Sequence, residues 1–296
     1  MAAAASLSPS RLRFGGSGAD DLLYSFSDAD GACAGLPPPN PSSCHYVTPG
    51  CLNASHFSSL LGLLASNAPG APEYANDFIF GLSFNISEAA RGLPWSPANA
   101  NRLLAFLGWP SDTVWGFELG NEVNNPRSVK PAQQAEAVLA LSRLLGPSGR
   151  IVGPDSGYTN AAAWDAALLP LVRAGGVSLH AVTHHVYLSL MPGDFSSAAA
   201  LASKLDSCLP EISWYTALAR SQAPASQIWA GENGPIGGGD DGTCGKTTIC
   251  GKWGSAVWYA DDAALRAKHG FAQHNRQDLF GGAYVHSQPQ RLWHRE

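Results

Sequence analysis

Apolar and polar positions alternate in short blocks along this chain, and each block is followed by a longer stretch with helical spacing. Asp77–Asn85 (DFIFGLSFN) is a buried strand, and Trp115–Asn121 keeps a period of two through Trp115, Phe117 and Leu119. Leu12–Phe14, Ile151–Asp155, Leu179–His185, Gln227–Glu232 and Gly270–Gln277 complete seven predicted strands. Between them the pattern predicts helices. One is opened by Ser96-Pro97 and closed by Gly108, and another runs from Pro131 to Leu145 before Gly146-Pro147. Further helices are expected at Ala161–Val172, around Phe195–Leu205, at Glu211–Ser221 and at Ser255–His269. Pro170 leaves the end of the first of these open. Residues 20–74 read as loop apart from a small helix near His56–Ala65. Strand–helix alternation of this kind predicts an α/β fold with a parallel sheet, and nothing in 1–296 marks a second domain.

Two of the strands end in glutamate. Glu122 follows Asn121 after the Trp115 strand, and Glu232 ends Gln227–Glu232 ahead of Gly237-Gly238-Gly239. In a barrel of parallel strands the C-terminal strand ends converge on one mouth. Two carboxylates there suit glycoside hydrolysis, in which one protonates the leaving oxygen and the other attacks or activates water. A capping role for either Glu alone is an equal reading, but for both together it is not. His184, His185 and Tyr187 end the neighbouring strand and are expected to face the same mouth. The bland reading packs one His under the barrel. Asp155, in GPDSG, also ends a strand and reads equally well as a cap of the following loop. No Cys or carboxylate neighbours the histidines at metal-ligand spacing, and the glycine run lacks the Lys-Ser/Thr of a phosphate loop.

Composition narrows the partners. The chain has 296 residues, of which 45% are hydrophobic and 14% charged, and a net charge of −5. With a pI near 6.0, nucleic acid is an unsuited partner. No run of about 18 apolar residues suggests a membrane span. MAAAASLSPSRLRF lacks the basic and apolar regions of a signal peptide. Six cysteines, with Cys244 and Cys250 as a possible disulfide, and sequons at Asn53 and Asn85 favour an oxidising, secretory setting.

ELGNEVN, THHVYL and IWAGENGPIGGG, with RLRFGG, DFIFGLSFN, VGPDSG and RQDLFGGAY in order around them, resemble the heparanase family of endo-β-glucuronidases. The likeness is greatest to its plant and algal heparanase-like glucuronidases, and it spans about Leu12 to Tyr284. It implies a (β/α)8 TIM-type barrel and a retaining mechanism, with Glu122 as proton donor and Glu232 as nucleophile. Asn121 would contact the sugar, and His184, His185 and Tyr187 would shape the site. Gly237, Gly238, Gln277 and Tyr284 match the family's uronate-binding positions. The substrate would be a glucuronic-acid-containing glycan or a glucuronide, with no metal or organic cofactor. The location would be extracellular, at a wall or membrane surface, or lysosomal or vacuolar.

The same resemblance implies an incomplete barrel. The family's first strand, its last helix and its accessory β-sandwich would be missing. In the retaining assignment Glu122 should carry a raised pKa and Glu232 should stay ionised, with the two carboxyls ~5 Å apart. Two alternatives stay open: a retaining barrel glycosidase acting on neutral sugars, and a non-catalytic carbohydrate-binding remnant.

Overall fold

The computed structural model describes residues 11–26, 50–64, 77–111, 113–125, 129–157, 160–236 and 253–276. Its central feature is a run of parallel strands. β1 (Arg11–Phe14) pairs with β4 (Asp77–Leu82), which pairs with β5 (Gly116–Leu119). β6 (Val152–Ser156), β7 (Ala181–Tyr187), β8 (Gln227–Gly234) and β9 (Gln273–Arg276) form a second ladder in that order. A bridge between Phe117 and Ile151 joins the two into one seven-strand series. All seven expected strands are therefore present, each shifted by a few residues at its ends.

Helices fill the intervals. They are α1 (Ala54–Leu64), α2 (Ile86–Ala89), α3 (Ala98–Leu107), α4 (Pro131–Leu145) and α5 (Ala161–Ala174). α6 (Ala198–Leu205), α7 (Leu209–Gln222) and α8 (Trp253–Lys268) follow. Gly108 ends α3 in the left-handed conformation, as its position after the last apolar residue predicts. Pro170 does not end α5, which continues to Ala174. One small ladder lies in the stretch expected to be loop: β2 (Leu23–Ser25) pairs with β3 (Cys51–Asn53). Three-residue strands are too short for periodicity to reveal. Among the described residues no helix is long and apolar enough to cross a membrane.

The sheet is strongly curled. Five steps separate β1 from β8, about 24 Å in a flat sheet, yet Arg13 Nη1 donates to Glu232 Oε2 at 2.8 Å. Arg11 of β1 likewise reaches Gln273 of β9 at 2.7 Å. No backbone ladder joins β9 to β1 among the described residues. Phe80, Phe117, Leu141, Leu168 and Ile212 belong to the main core between the sheet's outer face and the helices. Inside the curl, at the N-terminal strand ends, Ile79, Val152, Ala181 and Trp229 form an apolar floor with Trp115 against it. Arg11 lies 3.6 Å from the Trp115 ring centroid, over its face. Above that floor the inward side chains become polar.

Candidate active site

The polar layer is organised around Arg13. Its Nε donates to Glu118 at 2.6 Å, and its Nη1 to Glu232. Its Nη2 reaches Asn121 Oδ1 at 3.0 Å and also donates to Asp155. Three carboxylates from β5, β6 and β8 thus share one guanidinium on β1, in the forked geometry only Arg offers. Burial disfavours the cation, but Asp155, Glu118 and Glu232 outweigh it and keep Arg13 firmly charged. The opposite balance holds at Glu118. Burial, with repulsion from Asp155, exceeds the pull of Arg13 and pushes this carboxyl up to about 8.

The strand exits carry the second layer. Gly120, Glu122 and Asp155 all take positive φ values, 77°, 48° and 60°. Left-handed backbone is uncommon for Glu and Asp, and here it turns both side chains back over the strand ends. The two turns are stitched together, since Glu122 N donates to Asp155 O at 2.9 Å. Asn124 and Gly157 clasp the same loops through a reciprocal pair of hydrogen bonds at 2.6 and 2.9 Å. A Cβ on Gly157 would lie 2.8–2.9 Å from the Glu122 side chain, so glycine is required for this approach.

Glu122 and Glu232 face each other across His185. A carboxylate oxygen of each and a ring nitrogen of His185 all lie within 4.8 Å of one another. His185 Nδ1 is 2.8 Å from Glu122 Oε1, and Nε2 is 2.8 Å from Asp155 Oδ1. Tyr187 donates its hydroxyl to Glu232 Oε1. Burial opposes a charge on His185, but Asp155 and Glu232 prevail and lift its pKa well above the ordinary value. Both ring nitrogens of His185 are thus within hydrogen-bond reach of carboxylates.

His185 also corrects one expectation. Burial raises the Glu122 carboxyl, but the hydrogen bond and charge of His185 outweigh it, so the pKa is lowered, not raised. Asp155 is treated alike: burial raises it, and Arg13 and His185 bring it below the ordinary value.

Comparison with known proteins gives the family. The model for "Glycosyl hydrolase family 79, N-terminal domain" matches residues 1–264. The chain belongs to glycosyl hydrolase family 79. Two curated relatives from Arabidopsis thaliana, heparanase-like proteins 3 and 1, are 22% and 24% identical to it over 93% of its length. The family 79 chain spans 51% of each, about half the length of these relatives. Among solved structures, a 4-O-α-L-rhamnosyl-β-D-glucuronidase from Fusarium oxysporum superposes with a TM-score of 0.60 at 14% identity. The match covers 95% of this chain and 58% of that one. A family 44 xyloglucanase from Paenibacillus polymyxa gives 0.56 at 13% identity, covering 93% and 72%. At such identities these two report an α/β fold shared with glycoside hydrolases.

The other expected site residues are placed as follows. Asn121 sits at the centre, accepting from Arg13 and donating its backbone N–H to Asp20 at 2.8 Å. His184 does not face the mouth. Successive strand residues point to opposite faces, so with His185 inward, His184 turns outward. There it stacks on Tyr215 at 3.6 Å between ring centroids and bonds Glu211 of α7. Burial lowers its pKa, the opposite of its neighbour.

Gly237, Gly238, Gln277, Tyr284, Cys244 and Cys250 lie outside the described residues. Of the sequon residues, Asn85 caps α2 through its side-chain oxygen, and Asn53 Oδ1 accepts from His56 N. Cys51 is disulfide-bonded, and Cys208 is a buried free thiol. The described polar cluster also contains Arg13, Glu118 and Asp20, which the sequence patterns did not single out. Arg13 and Glu118 lie inside predicted strands, where an ionisable inward residue was itself the signal. Asp20 lay in presumed loop and offered none.

Proposed function

We propose that this chain carries the catalytic site of a retaining β-glucuronidase, built on an incomplete (β/α)8 barrel and acting on β-linked glucuronic acid in a glycan or glucuronide. One observation carries the reading. Oxygens of Glu122 and Glu232 lie within 4.8 Å of each other at the exits of two parallel strands. That spacing suits direct attack on the anomeric carbon, whereas inverting pairs stand ~6.5–9.5 Å apart to admit a water.

In this scheme Glu232 is the nucleophile, oriented by Arg13 on one oxygen and Tyr187 on the other. Its attack breaks the glycosidic bond while Glu122 protonates the departing oxygen. Glu122 then deprotonates the water that releases the sugar. Asn121, beside Glu122, supplies the polar contact to the ring. The disulfide at Cys51 suits an oxidising compartment, which supports a location outside the cell, at a wall or membrane surface, or in a lysosome or vacuole.

The decisive experiment is Glu232→Gln in the full chain, assayed with an aryl β-glucuronide. Turnover should disappear, and unchanged turnover would sink the assignment. A second reading, a retaining glycosidase for neutral sugars, is favoured by the charge of the mouth. Both described cations there, Arg13 and His185, are already matched by carboxylates. Faster cleavage of aryl β-glucosides than of glucuronides selects it.

A further inference from the structure

We infer that Asp155 and His185 are positioning residues that hold the working proton of Glu122, in a hydrogen-bonded relay Asp155–His185–Glu122. The inference rests on the two-carboxylate reading above and adds to it the place where the acid's proton is stored. Its basis is geometric. His185 is buried, and its two ring nitrogens stand 2.8 Å from Glu122 on one side and 2.8 Å from Asp155 on the other. Asp155 is itself fixed, by Arg13, by the Thr183 hydroxyl on its backbone N–H, and by the Glu122 N–H on its carbonyl.

The groups acting on His185 come from every strand around it. They are Glu118 and Glu122 from β5 and its exit, Asp155 from β6, Glu232 from β8 at 3.8 Å, and Arg13 from β1 behind Asp155. Asp165 of α5 and the adjacent His184 act from outside the curl. Carboxylates dominate, and they favour the imidazolium. Free Glu122 is therefore a carboxylate paired with a protonated ring, which is the wrong form for an acid in isolation. As a pair the two groups hold one transferable proton, and their titrations belong to the pair.

When a sugar displaces water from the mouth, the proton passes from His185 Nδ1 to Glu122 and on to the leaving oxygen. The C1–O bond breaks as the Glu232–C1 bond forms. In the second half, water attacks C1, the Glu232–C1 bond breaks, and the proton from water returns to Glu122 and then to His185. The site ends as it began. The productive pH range is that in which the pair carries one proton, and its alkaline limb is the titration of His185.

Two variants of the full chain test this on phenyl and 2,4-dinitrophenyl β-glucuronides, the second of which needs no acid assistance. Asp155→Asn should move the alkaline limb of kcat/KM toward acid by about one pH unit or more, since each unit reflects one lost stabilising charge contact of ordinary size. His185→Gln keeps a hydrogen bond but no transferable proton. It should cost about 10²-fold or more on the phenyl substrate, within the range for general acid catalysis, and far less on the dinitrophenyl one. An unmoved limb, or equal losses on both substrates, overturns the relay. Glu232→Gln separates the two readings, because activity surviving that change removes the carboxylate pair itself. Should Asp155→Asn not fold, the unaltered protein decides: the ¹⁵N resonances of His185 must titrate with the alkaline limb, and a mismatch overturns the inference.

Discussion

At the scale of single residues, Arg13 has the most demanding environment in the molecule. It is the counterion of Asp155 and Glu232 and a donor to the Glu118 carboxyl, and removing it leaves these buried acidic groups without their cation. Breaking a buried ion pair from one side costs roughly 3–5 kcal/mol. Arg13→Met should therefore lower unfolding free energy in urea by about that amount at neutral pH. The loss should shrink in mild acid, where the carboxylates take up protons. A pH-independent loss would assign Arg13 a packing role only. His184 and His185 show how neighbours diverge. One is outward, stacked and kept neutral by burial, and the other is inward among carboxylates and charged. Their dipeptide alone could not assign the roles, because either residue could have faced the mouth.

At the scale of elements, the exits of β5 and β6 act as a unit. Glu122 and Asp155 occupy unfavourable backbone conformations, held by the hydrogen bonds between their two loops and the Asn124–Gly157 clasp. Gly157→Ala should push the Glu122 side chain aside. Activity is expected to fall at least ~10-fold, because the added methyl meets the Glu122 side chain at 2.8–2.9 Å, and melting temperature should fall with it because Gly157 is buried and clasped by Asn124. Circular dichroism and steady-state rates measure the two effects separately.

Elements were legible in the sequence where short apolar blocks alternated with stretches of helical spacing. Asp77–Leu82 and Gln227–Gly234 stood out, and the glutamates marked where such strands met the mouth. The β2–β3 ladder was not legible, since its order comes from long-range pairing. Nor was the direction of the Glu122 pKa, which is set by a histidine that only the folded sheet brings near.

At the scale of the whole molecule, several buried groups bind protons more tightly than in the unfolded chain. Burial holds Glu118 and Asp165 each up to about 8. Between the ordinary carboxylate range and about 8 the unfolded state has released protons that the native state keeps. Stability must therefore decline as pH rises through that window. Glu122, Asp155, Glu211 and Asp262, held below their ordinary values, act oppositely and are lost as pH falls. Unfolding free energy should peak in mild acid. Asp165→Asn should flatten its decline toward pH 8, and an equally steep decline would mean that Asp165 does not titrate there.

The hydrogen bond from Arg13 to Glu232 spans 219 residues of sequence, and that from Arg11 to Gln273 spans 262. Each closes most of the chain into a loop, the kind of contact that forms last and slowly. Secondary structure on α4 and α5 can return from local contacts alone, but the nucleophile is not oriented until β1 has met β8. On dilution from denaturant, helical signal should therefore recover ahead of turnover. The reaction itself would then serve as a clock for the final closure of the chain upon its own beginning.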